Sequence, residues 1–350
     1  MSLNNVIDLR SDTMTVPTPA MREAMAAAEV GDDVFGEDPT VNTLQEMAAE
    51  RMGMEAGLFV SSGTMGNLVA MLTHCRRGDE IIMGRQSHTF AHERGGYAAV
   101  GGIHSCQIDN QPDGTLALDD IAAAMRSEDD HHPTTRLINL ENTHNAMGGV
   151  ALTPTYTRQV VEFAHARGIR VHIDGARIFN AAVALGVEVR ELVAGADSVT
   201  FCLSKGLSAP VGSVLCGSKA FINEARKNRK LVGGGMRQAG VLAAAGIIAL
   251  EQMVERLAED HAHARLLAES IAQTPGLQVD LTRVQTNMVY FDVSPDLPFD
   301  AAELCRRAAH HRVKMLDVGA RRIRAVTHCW ITREDVIEAG QAIRQIVVSG

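Results

Sequence analysis

The sequence is poor in the residues that mark nucleic-acid-binding proteins. Only 4% of its residues are aromatic, and its net charge is −9 at pH 7. Nucleic-acid binding needs a positively charged surface and often aromatic rings for stacking. The composition therefore argues against a nucleic-acid partner. One compact basic run, residues 226–230, is interpreted as the solvated face of a helix, and anion binding there is the less favoured alternative.

Long apolar runs and paired cysteines are also missing. The longest apolar run, Ala239–Leu250, is too short to span a bilayer and indicates a buried helix. No basic segment at the N-terminus leads into an apolar core, so no signal peptide is predicted. The six cysteines lie far apart without a CxxC pair, and no ligand cluster for a metal stands out. These absences predict a reduced, cytoplasmic protein.

Short β-rich runs alternate with segments of helical periodicity through the first two-thirds of the chain. The predicted strands are residues 57–61, 80–83, 102–108, 136–141, 170–174, 198–203 and 212–216. The predicted helices are residues 40–52, 64–75, 118–126, 154–167 and 189–194. This alternation is typical of βαβ units, so we expect an α/β fold with a mostly parallel, seven-stranded sheet covered by helices. Only a loop joins the last two strands, which predicts one antiparallel step.

The last third of the chain has a different pattern. A helical stretch over residues 237–273 precedes shorter strands and helices. These strands are predicted at residues 278–280, 288–293, 314–317 and 322–327, and the helices at 301–312 and 333–348, with Thr332 as the N-cap of the last helix. We therefore expect a large domain, residues 1–255 with an N-terminal arm (1–20), and a small α+β domain, residues 256–350.

Four of the predicted strands run into residues with chemical potential. Asp174 ends one strand and Lys205 follows another, while His88 and the turn at residues 61–64 follow two more. Ligands of open parallel sheets bind at the carboxyl ends of the strands. We therefore expect an amine, a carboxylate, an imidazole and an anion-binding turn at one edge of the sheet.

This set of groups matches the needs of pyridoxal phosphate. Lys205 would hold the aldehyde as a Schiff base, and Asp174 would hold a proton on the pyridine nitrogen. The N–H groups of the turn at 61–64 would bind the phosphate, together with the Thr64 hydroxyl. His88 would stack on the ring. Each residue alone has an ordinary explanation, such as a snorkelling surface lysine or a turn aspartate; their joint appearance favours the cofactor site. Dinucleotide and P-loop motifs are absent.

At these residues the sequence resembles the L-threonine aldolases, in particular the low-specificity and L-allo-threonine aldolases of bacteria. The matching segments are IDLRSDT (7–13), VGDDVFGEDPTVN (30–42), SSGTMGN (61–67), ENTHN (141–145), HIDGARIFNA (172–181), FCLSKGLSAPVGS (201–213), GGGMRQAGVLAAAG (233–246) and IRAVTH (323–328). The resemblance covers nearly the whole chain. It implies a pyridoxal-phosphate enzyme of the aspartate-aminotransferase fold type (fold type I), active in threonine breakdown and glycine formation.

The resemblance also implies roles for individual residues. In the cofactor site it implies Lys205 as the Schiff-base lysine, Asp174 as the partner of the pyridine nitrogen, His88 as the stacking ring, and Gly63 and Thr64 as the phosphate cup; Arg177 is included in this set. Arg237 would reach the phosphate from a neighbouring subunit, which implies a homo-oligomer, with a dimer of dimers suggested by the family. Arg177 and Arg324 would bind the substrate carboxylate beside Ser11.

The implied reaction is retro-aldol cleavage of L-threonine or L-allo-threonine to glycine and acetaldehyde, the work of an aldehyde-lyase. His131 resembles a second histidine near the substrate hydroxyl, but the sequence departs from the family pattern because His132 and Pro133 follow, which leaves open which of the two imidazoles points inward. We expect His131 to be the base, with His88 second. The alternatives on the same cofactor are transamination, β-elimination and hydroxymethyl transfer, and a catalytically silent α/β scaffold is the alternative of a different class.

Overall fold

The computed structural model describes residues 6–349, and its elements follow the predicted order closely. The strands are β1 (Ile7–Asp8), β2 (Ala56–Val60), β3 (Glu80–Gly84), β4 (His104–Ile108), β5 (Thr135–Glu141), β6 (Arg170–Asp174), β7 (Ser198–Cys202), β8 (Ser213–Gly217), β9 (Leu277–Gln278), β10 (Met288–Val293), β11 (Val313–Lys314), β12 (Leu316–Asp317) and β13 (Arg322–Val326).

The helices fall mostly between these strands. They are α1 (Pro19–Ala26), α2 (Pro39–Met52), α3 (Gly63–His74), α4 (His88–Ala91), α5 (Gly96–Gly101), α6 (Leu118–Ala124), α7 (Pro154–His165), α8 (Ile178–Leu185), α9 (Val189–Leu192), α10 (Lys219–Leu231), α11 (Gly240–Ile248), α12 (Leu257–Ala272), α13 (Ala301–His310) and α14 (Arg333–Ser349). None of the helices in residues 6–349 is long and apolar enough to cross a membrane.

The large sheet has seven strands in the order β2-β8-β7-β6-β5-β3-β4. The strands β7, β6, β5, β3 and β4 pair in parallel. Only β8 runs antiparallel to both of its neighbours, β2 and β7. The predicted mostly parallel sheet and the antiparallel step between the last two predicted strands, β7 and β8, are thus confirmed, while the antiparallel pairing of β8 with β2 was not predicted. The strands β3, β7 and β8 are buried along their lengths, because helices cover both faces of such a sheet.

The buried apolar residues form two main clusters. One surrounds the large sheet and is built from residues between Met21 and Leu257. The other lies around the four-stranded antiparallel sheet β12-β13-β10-β9 and joins Ile7 and Leu9 to residues 264–347. The N-terminal segment reaches this second cluster because β1 pairs in parallel with β11. The division into domains at residue 255 stays a prediction.

Two local expectations differ from the structure, and a third, the cap of α14, is confirmed. The helical stretch 237–273 is divided into α11, a π-helical turn at Ala249–Met253, and α12. The strand expected from residue 102 begins at His104, because α5 precedes it and ends at Gly102 in the left-handed conformation (φ 61°). Thr332 does cap α14, with its Oγ1 accepting from the Asp335 N–H at 3.2 Å.

The basic run 226–230 is not a fully solvated helix face. It lies on α10, and the Arg229 side chain is only 2% exposed. Arg229 donates to an Asp33 carboxylate oxygen and to the Phe59 carbonyl, both at 2.7 Å. A buried guanidinium needs such partners to offset the loss of its hydration. This run therefore joins α10 to the residues before α2 and to the end of β2.

Candidate active site

The carboxyl edge of the large sheet brings most of the predicted site residues together. Asp174 ends β6, Lys205 follows the end of β7 by three residues, and His88 follows β3. These strands run in parallel within one sheet. A cleft of about 540 Å³ lies at this edge, and Ser11, His88, Arg177, Lys205 and Arg324 all line it. Five side chains distant in sequence therefore share one cavity.

Lys205 lies at the floor of this cleft on a constrained turn. Its carbonyl accepts from the Thr15 hydroxyl at 3.1 Å and from the Ser208 N–H at 2.8 Å. Ser208 itself has φ 63°, a left-handed conformation that is uncommon for a residue other than glycine. Among residues 6–349 no carboxylate forms an ion pair with Lys205. The backbone of Lys205 is thus held in place while its amine remains available to a ligand.

Asp174 is a buried carboxylate without a cationic side chain beside it. It is 1% exposed. One of its oxygens accepts from Asn67 Nδ2 at 2.9 Å and the other from the Ala176 N–H at 3.2 Å. Within the described part of the chain no lysine or arginine pairs with it. A buried anion in this state suits a ligand that brings its own positively charged N–H group, as a protonated pyridine ring does.

The N-terminus of α3 supplies free backbone donors. Ser62 caps the helix, and its hydroxyl accepts from the Met65 N–H at 3.1 Å. The first N–H groups of a helix have no partner within it, so those of Gly63 and Thr64 can bind an anion. A Cβ on Gly63 would lie 2.9 Å from the Cys202 sulfur. Glycine therefore allows α3 to begin close to the end of β7, near Lys205.

His88 is held by two carboxylates. Its Nδ1 lies 2.9 Å from Oε1 of Glu93, and its backbone N–H donates to Glu141 Oε2 at 2.6 Å. The hydrogen bond to Glu93 raises the pKa of the His88 imidazole, against the effect of burial and with support from the Asp174 charge. With Nδ1 bound to Glu93, Nε2 is the ring nitrogen left for a ligand. One ring nitrogen of His88 and one carboxylate oxygen each of Glu93 and Asp174 lie within 4.8 Å of one another, so these three side chains form one polar cluster.

Arg177 is fixed by a buried carboxylate at the wall of the cleft. Its Nε and one Nη donate to the two oxygens of Asp12 at 2.7 and 2.6 Å. Burial by itself raises the pKa of Asp12, but the Arg177 and Lys205 charges outweigh it, so that the pKa of Asp12 lies well below its usual range. Asp12 is therefore ionised, and it uses one edge of the guanidinium. The remaining Nη1 is left for an anion in the cleft.

Arg324 reaches the same cleft from the small sheet. One Nη donates to Asn145 Oδ1 and the other to the Arg10 carbonyl, both at 3.1 Å. Its Nε is buried and has no hydrogen-bond partner among residues 6–349. Tyr290 lies on the neighbouring strand β10 and lines the cleft as well. A buried guanidinium N–H without an acceptor fits an incoming carboxylate.

His131 does not reach the cleft within its own chain, and the expectation for this residue is corrected on that point. It lies in the loop just before β5, at the amino edge of the sheet, opposite the edge at which Asp174 and Lys205 lie. Its side chain is 90% exposed and is bonded to Asp129 at 2.6 Å. The seven residues of β5 span about 20 Å, which is far beyond the reach of a side chain.

Arg237 also lies apart from the cleft in a single chain. Its side chain is half exposed and donates to Asp32 at 2.9 Å. Its expected contact with a phosphate requires a second subunit, so this role stays a prediction.

Sequence reasoning missed several residues that organise the site. Asn67 and Glu93 connect Asp174 to His88. Glu141 accepts from two backbone N–H groups, that of His88 and, at 2.8 Å, that of Asn145. Three of these residues lie in the matching segments SSGTMGN and ENTHN, which was a signal that could have been used. Glu93 lies outside those segments, and only its position beside His88 in space identifies it.

The sequence matches the beta-eliminating lyase family over residues 8–294. It is 49% identical over 333 residues to low-specificity L-threonine aldolase 1 of Arabidopsis thaliana, covering 94% of this chain and 93% of that one. It is 47% identical over 334 residues to the low specificity L-threonine aldolase of Escherichia coli K12, covering 95% and 97%. The chain therefore belongs to the beta-eliminating lyase family, and within it to the group of the low-specificity L-threonine aldolases.

The fold agrees with this membership. The threonine aldolase of Leishmania major is 18% identical and superposes with a TM-score of 0.81, over 97% of this chain and 99% of that one. A putative L-allo-threonine aldolase of Listeria monocytogenes is 19% identical and gives a TM-score of 0.79, over 97% and 96% of the two chains. The predicted fold class, an α/β fold of the pyridoxal-phosphate-dependent transferase type, is confirmed.

Proposed function

We propose that this protein is an aldehyde-lyase that uses pyridoxal phosphate to cleave L-threonine or L-allo-threonine into glycine and acetaldehyde. The observation that carries the proposal is that Lys205 and Asp174 lie at the same edge of the sheet. The amine has no ion-pair partner, and the buried acid has no lysine or arginine partner, among residues 6–349. The relatives named above make threonine the substrate of first choice.

The residues present suit this cofactor at three points. The Lys205 amine would hold its aldehyde, and Asp174 would accept from its ring nitrogen. The N–H groups of Gly63 and Thr64 at the start of α3 would bind its phosphate. When bound, the cofactor supplies an electron sink for the electron pair of the broken Cα–Cβ bond.

The two arginines would hold the substrate carboxylate. Arg177 offers Nη1, with its orientation set by Asp12, and Arg324 offers a buried Nε that has no acceptor of its own. Two such contacts fix the rotation of a small amino acid, and with it the bond that stands in position to break. Ser11, on the rim, supplies a hydroxyl close to these groups.

His88 is the candidate for proton transfer within one chain. Its Nδ1 is held by Glu93, which leaves Nε2 facing the cleft, where it can accept the proton of the β-hydroxyl directly or through water. The shared site that Arg237 implies would require a homo-oligomer, as proposed from the family resemblance.

The proposal is tested by product analysis of the cofactor-loaded protein. We expect L-threonine to yield glycine and acetaldehyde in equal amounts, and Lys205→Ala to lower the rate about 10³-fold, a change of ~4 kcal/mol in the barrier. Lys219→Ala, which changes an exposed lysine at the start of α10, is the matched control and should keep the full rate. Ammonia with a 2-oxo acid would instead indicate β-elimination, and a 2-oxo acid without ammonia would indicate transamination.

A further inference from the structure

A chain of hydrogen bonds runs behind the candidate active site, along the contact between α3, β6 and β7, and it is buried except at His74, which is partly buried. His74 Nε2 lies 2.7 Å from Ser198 Oγ, and Ser198 Oγ lies 2.8 Å from His172 Nδ1. His172 Nε2 lies 3.2 Å from Asn67 Oδ1, and Asn67 Nδ2 donates to Asp174 at 2.9 Å. His74, Ser198 and His172 do not line the cleft.

The spacing of these residues follows from regular secondary structure. His172 and Asp174 are two apart on β6, so that both face α3. Asn67 and His74 are seven apart on α3, which places them on one side of the helix. Ser198 lies opposite His172 in the parallel register of β6 and β7. Two strands and one helix thus align a row of polar side chains inside an apolar region.

The charge of Asp174 sets the direction of every bond in this row. An ionised carboxylate only accepts hydrogen bonds, so the Asn67 NH₂ must face Asp174, and it also faces Glu93 at 2.9 Å. The Asn67 Oδ1 is then an acceptor, which requires a proton on His172 Nε2. Burial lowers the pKa of His172 to about 4, with the Asp174 charge acting against this effect. His172 is therefore neutral, and its Nδ1 carries no proton.

The same reasoning continues to the far end of the row. A bare Nδ1 on His172 requires Ser198 to donate its hydroxyl proton. The Ser198 oxygen then accepts from His74 Nε2. Burial also lowers the pKa of His74 well below its usual range, and the Arg170 charge acts in the same direction. Each hydrogen bond in the row then has one assigned donor and one assigned acceptor.

We propose that His74, Ser198 and His172 are positioning residues that hold the Asn67 amide with its donors toward Asp174 and Glu93. Without the proton on His172 Nε2, the amide could turn and present its oxygen to two carboxylates. Asp174 would then lose a donor and face the neutral amide oxygen, which is another hydrogen-bond acceptor. The row therefore keeps Asp174 in the orientation and charge needed to accept from a cationic N–H group in the cleft.

The first test measures proton positions in the protein without cofactor, so it does not depend on the proposed function. In protein labelled with ¹⁵N-histidine at pH 7, we expect the His172 and His74 rings to be neutral with the proton on Nε2. The His172 signals are assigned by their loss in His172→Gln. A proton on Nδ1 of His172, or a charged His172 ring, would overturn the proposal.

The second test uses two variants of the same buried strand. Ser198→Ala removes the donor to His172 Nδ1, so the proton should divide between the two ring nitrogens of His172. Thr200→Val is the matched control, because the Thr200 hydroxyl is buried on β7 but has no hydrogen-bond partner within residues 6–349. The control should keep the proton on His172 Nε2. An unchanged His172 spectrum in Ser198→Ala would show that the hydrogen bond from Ser198 does not set the position of the proton on His172.

The consequence for the cofactor does rest on the proposed function. Titration of the two apo variants with pyridoxal phosphate should show about a ten-fold weaker affinity for Ser198→Ala, the order of effect seen when a second layer of hydrogen bonds around a ligand is broken. Thr200→Val should bind as the unchanged protein does. Equal affinities in both variants would contradict the role proposed for the row. Failure of all three proteins to bind would instead contradict the proposed function.

Discussion

The two edges of the large sheet carry histidines with opposite surroundings. At the carboxyl edge, His88 lies beside the cleft, with Glu93 on its Nδ1 and Glu141 on its backbone N–H. At the amino edge, His131 is 90% exposed and contacts only a neighbouring loop aspartate. Both rings contact a carboxylate through Nδ1, but the His88 side chain is 33% exposed beside the cleft and the His131 side chain is 90% exposed. Position relative to the strand ends, more than residue type, decides which histidine belongs to the site.

The sharpest test of this difference compares His88→Phe with His131→Phe. We expect His88→Phe to lower kcat about 100-fold, the lower range for loss of a general acid–base group, because Nε2 is lost from the cleft. His131→Phe should leave kcat within about two-fold, as expected for a substitution at an exposed position away from the site. Steady-state rates of acetaldehyde release measure both. A large loss in His131→Phe would mean that a second subunit brings this loop to the cleft.

A second comparison uses arginines from the two edges. Arg324→Lys keeps a positive charge but loses the planar fork and the buried Nε–H, so we expect KM for the amino acid to rise about ten-fold, or ~1.4 kcal/mol. Arg170→Lys changes an exposed arginine at the amino end of β6, paired with Asp197 at 3.3 Å, and should leave KM unchanged. Initial rates over a range of threonine concentrations separate KM from kcat. A fall in kcat alone would show that Arg324 does not hold the ground-state carboxylate.

The smallest expected effect is the contribution of His172, which is buried between the two edges of the sheet, to the pH dependence of stability. Because the folded pKa of His172 is depressed to about 4, the unfolded chain binds this proton between about pH 6.5 and pH 4 and the folded chain does not. His172 therefore stabilises the fold above pH 6.5 relative to lower pH, and this contribution is lost as the pH falls toward 4.

His172→Gln should remove one proton from this dependence, which flattens the slope of the free energy of unfolding by up to ~1.4 kcal/mol per pH unit in that range. Urea unfolding at several pH values measures the slope. His165→Gln, on the exposed end of α7 with Asp197 as its partner at 2.9 Å, is the comparison for a surface histidine. An equal slope in the unchanged protein and in His172→Gln would show that His172 is charged in the folded state.

Much of the fold was predictable because local patterns determine it. The alternation of β-rich and helical segments predicted seven strands, and all seven are present with shifts of a few residues at their ends. The lack of a helix between the last two strands correctly indicated the reversed strand β8. The break between α11 and α12 was missed, since no proline or glycine marks it in residues 249–256.

Within the site, the predictable residues were those at strand ends. Asp174, Lys205 and His88 each follow a β-rich run, and the edge of a parallel sheet necessarily gathers such residues. Glu93 and the buried row from His74 to Asn67 escaped prediction, because hydrogen bonds between side chains of different elements leave no periodic signal. Within one chain His131 lies away from the cleft, because its resemblance to a site residue concerned its sequence neighbours and not the edge on which its loop lies.

The sequence by itself determined which residues could do chemistry and at the end of which strand each would lie. Side-chain type and hydrophobic periodicity are properties of the chain. Only the tertiary structure decided which of them meet. Burial removes water from Asp174 and His172, so their partners and proton positions depend on every neighbouring element at once. That dependence is non-local, and it is the physical reason that the cleft could be anticipated while the hydrogen bonds behind it could not.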